Sequence, residues 1–285
     1  MEIPVLICTD LDRTLLPNGE AVESPSARPL FSKFVSRPEV TLAYVTGRHR
    51  ALVAEAMDRY DLPCPAYVIG DVGTTLYRVS PMHPSAEHWT PWDAWTEEIA
   101  PDWGAHTHES LRRMFADLPD LRLQEAAKQN RFKLSYYISL DADRLPLIES
   151  VRARLSAEGV RASVIWSVDA AAGIGLMDLL PARATKYHAI DFLMKRLGFT
   201  LENTVFSGDS GNDLEVLASP ISAVLVANSS PEVQAQARQR VQENAPSNAL
   251  YFAKGGFMGM NGNYSAGILE GIAHYLPETI PWMKP

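Results

Sequence analysis

Val5-Leu6-Ile7-Cys8-Thr9-Asp10-Leu11-Asp12-Arg13-Thr14-Leu15 opens the chain with a short apolar run that breaks into two carboxylates, two residues apart. Such a run bounded by polar residues reads as a buried strand, so a strand over Val5 to Cys8 ends where the carboxylates begin. The unit recurs: Val40 to Val45 stops at Thr46-Gly47-Arg48, Tyr67 to Ile69 stops at Gly70-Asp71, and Thr204 to Ser207 stops at Gly208-Asp209-Ser210-Gly211-Asn212-Asp213. Helical stripes lie between them, one of Leu52, Val53, Ala56, Met57 and Tyr60, another of Ile190, Leu193, Met194 and Leu197 closed by Gly198. Another strand, Ala223 to Val226, and a last helix carrying Ile268, Leu269, Ile272, Ala273 and Leu276 complete the series. Alternating strand and helix predicts an α/β fold, a Rossmann-like parallel sheet with helices on both faces.

The alternation is interrupted near residue 81. Pro81, Pro84 and Pro91 break the chain, and Trp89, Trp92, Trp95 and Trp103 follow closely on one another; bulky residues in such a segment are read as its core. Farther on, Lys133, Ser135, Tyr137 and Ser139 alternate with Leu134, Tyr136, Ile138 and Leu140, the period of a sheet solvated on one face. Ala162 to Ser167 and Ile174 to Leu180 supply two more strands before Pro181. The expected division is therefore a core over 1–82 and 180–285 with a second α/β domain inserted over 83–179. His83, His88, His106 and His108 lack ordered ligand spacing for a metal. The glycine-rich stretch Gly255 to Gly262 lacks the Gly-Lys-Ser/Thr ending of a nucleotide-binding loop and is expected to be a flexible surface turn.

Composition narrows the function. The 285 residues are 46% hydrophobic and 21% charged, ordinary values for a globular protein and not for a disordered or collagen-like one. Twenty-six basic against 34 acidic residues leave a net charge of −8, which argues against a nucleic-acid or anionic-membrane partner. Cys8 and Cys64 are too few for a disulfide framework. No signal-peptide pattern and no span of about 20 apolar residues is present, so a cytoplasmic setting is expected.

Three polar clusters, Asp10/Asp12, Thr46/Arg48 and Asp209/Asn212/Asp213, fall at the carboxyl ends of the expected parallel strands, the edge at which open α/β sheets bind ligands. Several carboxylates brought together there need a cation, and an all-oxygen set suits magnesium rather than zinc. Lys186, at the start of a helix, adds a fixed positive charge. These are the parts of a phosphoryl-transfer site. Asp10 is the candidate nucleophile and Asp12 the candidate acid and base, a role that requires Asp12 to start protonated. Thr46, Gly47, Arg48, Lys186 and Asn212 are candidates for holding phosphoryl oxygens, with Lys133 as a candidate sugar contact; Gln124, Glu125, Lys128 and Gln129 are alternatives to it. The metal candidates are Asp10, Asp12, Asp209 and Asp213.

At these residues the chain resembles the haloacid dehalogenase superfamily of phosphatases. Asp10-Leu11-Asp12-Arg13-Thr14-Leu15, Thr46-Gly47-Arg48, Lys186 and Gly208-Asp209-Ser210-Gly211-Asn212-Asp213 look like its four motifs, in order and spacing. Gly70-Asp71-Val72-Gly73-Thr74, Met177-Asp178-Leu179-Leu180-Pro181 and Ala266-Gly267-Ile268-Leu269-Glu270 are similar to the sucrose-phosphate phosphatases within it. The resemblance implies a Rossmann-like core with an inserted α/β cap that confers specificity, Mg2+ as cofactor, an aspartyl-phosphate intermediate, and a disaccharide phosphate such as sucrose 6-phosphate as substrate. It also suggests a sugar-phosphate-forming glycosyltransferase as partner. Arg13 departs from the pattern, since many relatives carry glycine there. A hexose phosphomutase of the same superfamily and a non-catalytic sensor phosphorylated on aspartate are the competing readings.

Overall fold

In a computed structural model of the chain, residues 4–169, 172–244 and 248–284 are described. The core is built from β1 (Val5–Thr9), α1 (Ala27–Val35), β2 (Val40–Val45), α2 (Arg50–Tyr60), β3 (Tyr67–Gly70), β4 (Thr75–Arg78) and β5 (Thr90–Pro91). The chain then forms α3 (Asp93–Ile99), α4 (His108–Met114), β6 (Arg122–Leu123), β7 (Leu134–Ile138), α5 (Arg144–Ala157), β8 (Ala162–Asp169) and β9 (Ile174–Pro181). It returns to the core with α6 (Lys186–Leu197), β10 (Thr204–Gly208), α7 (Leu214–Leu217), β11 (Ser222–Leu225), α8 (Pro231–Asn244), β12 (Leu250–Phe252) and α9 (Ser265–Tyr275). Two compact units result, 1–91 with 186–285, and 92–185.

The first unit holds one eight-stranded sheet in the order β12-β11-β10-β1-β2-β3-β4-β5. Strands β12 to β3 are parallel, as expected, and a β4–β5 extension joins antiparallel at one edge. Strand β1 is buried along its whole length, which is why it reads as a continuous apolar run rather than an alternating one. It lies between β2 and β10, with Thr9 level with Tyr44 on one side and Ser207 on the other. The sheet thus grows outward in both directions from β1, and a crevice at its carboxyl edge follows from that reversal of strand order.

Helix α9 is buried from Ser265 to Ala273 and packs on the sheet through Gly271. A Cβ there would lie 2.1 Å from Val224 Cγ2, so only glycine lets the helix approach so closely. The loop before it is not the loose turn expected. Both oxygens of buried Glu270 accept hydrogen bonds from it, Oε1 from Lys254 N and Oε2 from Gly255 N, each at 2.8 Å. Asn261 and Asn263 in turn donate from their side-chain amides to Val22 O at 2.7 and 3.0 Å, tying this loop to the one that follows β1.

The second unit is a four-stranded antiparallel sheet, β6-β7-β9-β8, with α3, α4 and α5. Leu134, Tyr136 and Ile138 are buried and Ser139 is exposed, as the alternation predicts, but on the expected solvated face Lys133 and Ser135 are buried and Tyr137 is half-buried, while Leu140 is exposed. On that face Ser135 Oγ donates to Lys128 O at 3.3 Å, in the segment that precedes β7. Gln129 pairs with the Ser135 backbone like a strand residue, its Oε1 accepting from Ser135 N and its Nε2 donating to Ser135 O, both at 2.9 Å. The tryptophans also divide: Trp89 packs in the core of the first unit, while Trp95 and Trp103 are buried in the second, Trp103 edge-on to Phe132 at 5.5 Å.

Candidate active site

Backbone pairing fixes where the chemistry-bearing side chains leave the sheet. Asp10 N donates to Ser207 O at 2.9 Å, prolonging the β1–β10 ladder by one residue, and Thr46 N donates to Ile69 O at 2.8 Å beyond the end of β2. The residues expected as motif ends therefore emerge at the carboxyl edge of neighbouring strands.

Three carboxylates meet there. Asp10, Asp209 and Asp213 are buried, and each offers an oxygen within 4.8 Å of the others. Lys186, buried at the first turn of α6, donates to Asp10 Oδ1 at 2.9 Å, Asp213 Oδ1 at 2.7 Å and Asn212 Oδ1 at 3.2 Å. Asp213 Oδ2 accepts from Asp209 N and Ser210 N, both at 3.1 Å, so this carboxylate also shapes the turn over Gly211–Asp213, with Ser210 as its cap. A Cβ on Gly208 would sit 2.6 Å from Asp213 Cγ, which makes glycine obligatory where the strand hands over to that turn. Thr14 Oγ1 donates to Asp209 Oδ1 at 3.2 Å, and Arg13 Nε lies 3.2 Å from Asp209 Oδ2.

Charge excess sets the protonation of the cluster. Burial, joined by the charges of Asp213 and Asp209, outweighs Lys186 and pushes Asp10 up to about 7. Burial and the charge of Asp213 push Asp209 up to about 6 against the pull of Arg13 and Thr14. Burial by itself would lower the Lys186 ammonium, but Asp10 and Asp213 outweigh it and hold Lys186 above the ordinary lysine value. Three carboxylates facing one internal ammonium, with only oxygen donors, fit a hard divalent cation.

Asp12 stands apart from this cluster, and its side chain is not among the grouped metal donors. Its carboxylate takes a two-pronged ion pair from Arg48, Nη2 to Oδ1 at 2.7 Å and Nε to Oδ2 at 2.8 Å, and a further bond from Asn18 Nδ2 at 2.7 Å. Burial opposes ionisation, yet Arg48 and Asn18 prevail and hold Asp12 below the usual carboxylate value. This pairing works against the proton that the acid role expects on Asp12, because a fork of two charge-assisted hydrogen bonds favours the anion. Thr46 is buried, and its Oγ1 accepts from Arg48 N at 3.2 Å, while Gly47 lies in the turn between them. Lys133 belongs to the second unit and immediately precedes β7.

Two features escaped sequence reasoning. Asp71 and Val72 both adopt left-handed backbone, at φ 50° and 61°, an uncommon state for any residue but glycine and a strained one for valine. Asp71 N donates to Arg48 O at 3.0 Å and Val72 N to Thr46 O at 3.2 Å, so the strained turn braces the Thr46–Arg48 loop. The second feature is a pair of asparagines around Arg13: Asn18 Oδ1 accepts from Arg13 N at 2.8 Å and Asn228 Nδ2 donates to Arg13 O at 2.6 Å. Asn18 lies five residues from Arg13 in an irregular loop and Asn228 lies 215 positions away, so neither contact has a periodic signal in the sequence.

Fold and site together are those of a phosphatase of the haloacid dehalogenase superfamily. The chain belongs to the sucrose-6F-phosphate phosphohydrolase family, whose model matches residues 3–276. It is 52% identical over 284 residues to a Nitrosococcus oceani protein described as a HAD-like hydrolase, covering 100% of this chain and 75% of that one. With sucrose-phosphatase 1 of Nicotiana tabacum it shares 28% identity over 287 residues, 97% of this chain but 61% of the tobacco protein. The chain therefore spans less than two thirds of that plant relative. The structure of the sucrose-phosphatase from Synechocystis sp. PCC6803 in complex with sucrose and phosphate superposes with a TM-score of 0.69 at 24% identity, covering 96% of this chain and 98% of that one, a likeness of fold. Among the described residues no helix is long and apolar enough to cross a membrane.

Proposed function

We propose that the protein hydrolyses a disaccharide phosphate, sucrose 6-phosphate or a close relative, through an aspartyl-phosphate on Asp10, with Mg2+ as cofactor. The observation that carries this reading is the buried meeting of Asp10, Asp209 and Asp213 around Lys186 at the carboxyl edge of β1 and β10. Asp10 and Asp209 would hold the cation, with Asp213 fixing their loop and Lys186; when bound, the cation neutralises charge on the transferring phosphoryl group. Lys186 keeps one Asp10 oxygen in place, so that the carboxylate meets phosphorus in a fixed orientation.

In the first step an Asp10 oxygen bonds to phosphorus, the bond from phosphorus to the sugar oxygen breaks, and that oxygen takes a proton from Asp12. In the second, water attacks phosphorus and gives its proton to Asp12, and the bond to Asp10 breaks, releasing inorganic phosphate. Because Arg48 favours the anion of Asp12, the acid role requires Arg48 to leave that carboxylate as the substrate phosphate arrives. A guanidinium fork matches phosphate as well as carboxylate, which supports Arg48, beside Thr46, Gly47 and Asn212, as a phosphate contact. The 92–185 unit is the candidate specificity domain, with Lys133, Glu125 and Lys128 the side chains for sugar hydroxyls, since the amides of Gln124 and Gln129 are committed to the backbone of Tyr136 and Ser135. A sugar phosphate is what a glycosyltransferase that leaves phosphate on its acceptor would deliver, and such an enzyme is the proposed partner. The two unpaired cysteines suit a cytoplasmic setting.

The test is phosphate release, with and without Mg2+, from sucrose 6-phosphate, mannosylfructose phosphate, trehalose 6-phosphate, glucosylglycerol phosphate and simple hexose phosphates, with Asp10→Asn as blank. Magnesium-dependent release with a tenfold preference for one disaccharide, about 1.4 kcal/mol of transition-state discrimination, supports the proposal. Equal rates on every ester would make it a general sugar phosphatase, and transfer of phosphoryl to another hydroxyl without release would make it a mutase.

A further inference from the structure

Arg13 stands at φ 56°, in the left-handed region, on a residue that is not glycine. Its conformation is held from both sides by Asn18 and Asn228, which bind its backbone N–H and C=O. Left-handed backbone held this firmly fixes where its side chain leaves the chain, and the guanidinium forms an ion pair with Asp209, Nε lying 3.2 Å from Oδ2. The Arg13 side chain is 58% exposed, whereas that of Asp209 is 4% exposed. Lys186 binds Asp10 and Asp213 from within the cluster and makes no bond to Asp209. Arg13 is thus the cation that meets the carboxylate Lys186 leaves out, and it does so from the solvent side.

We propose that Arg13 is a built-in counter-cation for Asp209: its guanidinium pairs with Oδ2 of that carboxylate, and a divalent cation binds only as Arg13 moves aside. The inference rests on the reading of Asp10 and Asp209 as cation-holding groups. Arg13 acts through Asp209 and is a positioning residue, one that sets the affinity of the site for its cation. Its exposure lets it leave without unfolding anything, while the hydrogen bonds with Asn18 and Asn228 keep its backbone in place. A side chain that merely supported the loop would weaken cation binding when removed. A competitor for the same oxygen strengthens it.

The experiment titrates Mn2+ as probe, with no substrate present, into the full chain, Arg13→Gln, Arg13→Lys and Arg13→Gly, reading free Mn2+ by its electron paramagnetic resonance signal. The expected result is a Kd about 3- to 10-fold lower for R13Q and R13G, with R13K between them and the unchanged chain. R13G also relieves the left-handed backbone and keeps the test open if another variant folds poorly. Equal or weaker Mn2+ binding in both R13Q and R13G, in a chain that does bind the ion, overturns the role of Arg13 alone. Absence of Mn2+ binding in every form, including the unchanged one, overturns this inference together with the cation site beneath it.

Discussion

Lys186→Met tests how far one ammonium holds the site together. The side chain is buried to the same extent as the two carboxylates it joins, with Nζ at 2.7 Å from Asp213 Oδ1 and 2.9 Å from Asp10 Oδ1. At an effective dielectric of about 20, unit charges about 3 Å apart attract by roughly 5 to 6 kcal/mol per pair. Removing the lysine also removes its own desolvation, several kcal/mol. The net loss is therefore expected near the value found for breaking buried pairs, about 3–5 kcal/mol, read as a fall in the urea midpoint in the presence of a chelator at pH 8. The deficit should have a distinctive pH dependence. A carboxyl whose pKa is higher folded than unfolded binds its proton more tightly in the fold, so it stabilises at low pH and that stability is lost as pH rises through the folded value. Asp10 already titrates at about 7 beside Lys186, and without the ammonium its pKa rises further. Each further tenfold gain in proton affinity returns about 1.4 kcal/mol once the group is protonated, so the deficit should shrink as pH falls from 8 toward 5. A deficit under about 1 kcal/mol, or one equal at pH 8 and pH 5, would refute the account of Lys186 as the internal counter-charge.

Gly271→Ala gains about 1 kcal/mol of helix propensity but drives a methyl to within 2.1 Å of Val224 Cγ2; overpacking costs of about 1–3 kcal/mol should win, and a raised urea midpoint would contradict the packing described. Glu270→Gln exchanges an acceptor-only carboxylate for an amide in front of Lys254 N, Gly255 N and the Tyr251 hydroxyl. A loss of about 1.5–3 kcal/mol is expected, with faster amide exchange at Lys254 and Gly255, and unchanged exchange there would show that the loop orders without Glu270. Cys8 is buried, and burial raises its thiol well above the ordinary value, whereas Cys64 is exposed. A thiol reagent should label one cysteine in the native protein and both in urea, and native labelling of Cys8 would mean that the central strand opens.

Much of the core could be read along the chain because β1 and its parallel neighbours are covered on both faces, so local hydrophobicity alone marks them. Polar residues then mark the strand ends, and the recurrence of that unit located Asp10, Thr46, Asp209 and Asp213. What local pattern could not supply was partnership. The alternation around Ser135 promised a solvated face, yet Ser135 is buried, its hydroxyl donating to Lys128 O and to Asp178, 43 residues away. The stretch from Gly255 to Gly262 read as loose because glycine is permissive, and it is ordered by Glu270 from a later helix. The short strands β4, β5 and β12 carry too few residues for a periodic signal.

The sequence by itself determined the α/β class, the carboxyl-edge location of the site and the identity of its acidic and basic residues, since these follow from strand period and from which residues interrupt it. Tertiary structure decided how the charges pair. Lys186 with Asp10 and Asp213, Arg48 with Asp12, and Arg13 with Asp209 join segments up to 196 positions apart in the numbering of this chain. Which cation meets which carboxylate depends on the register of β1, β2 and β10 and on the turns beyond them, and pairing energies at such separations leave no periodicity in the sequence.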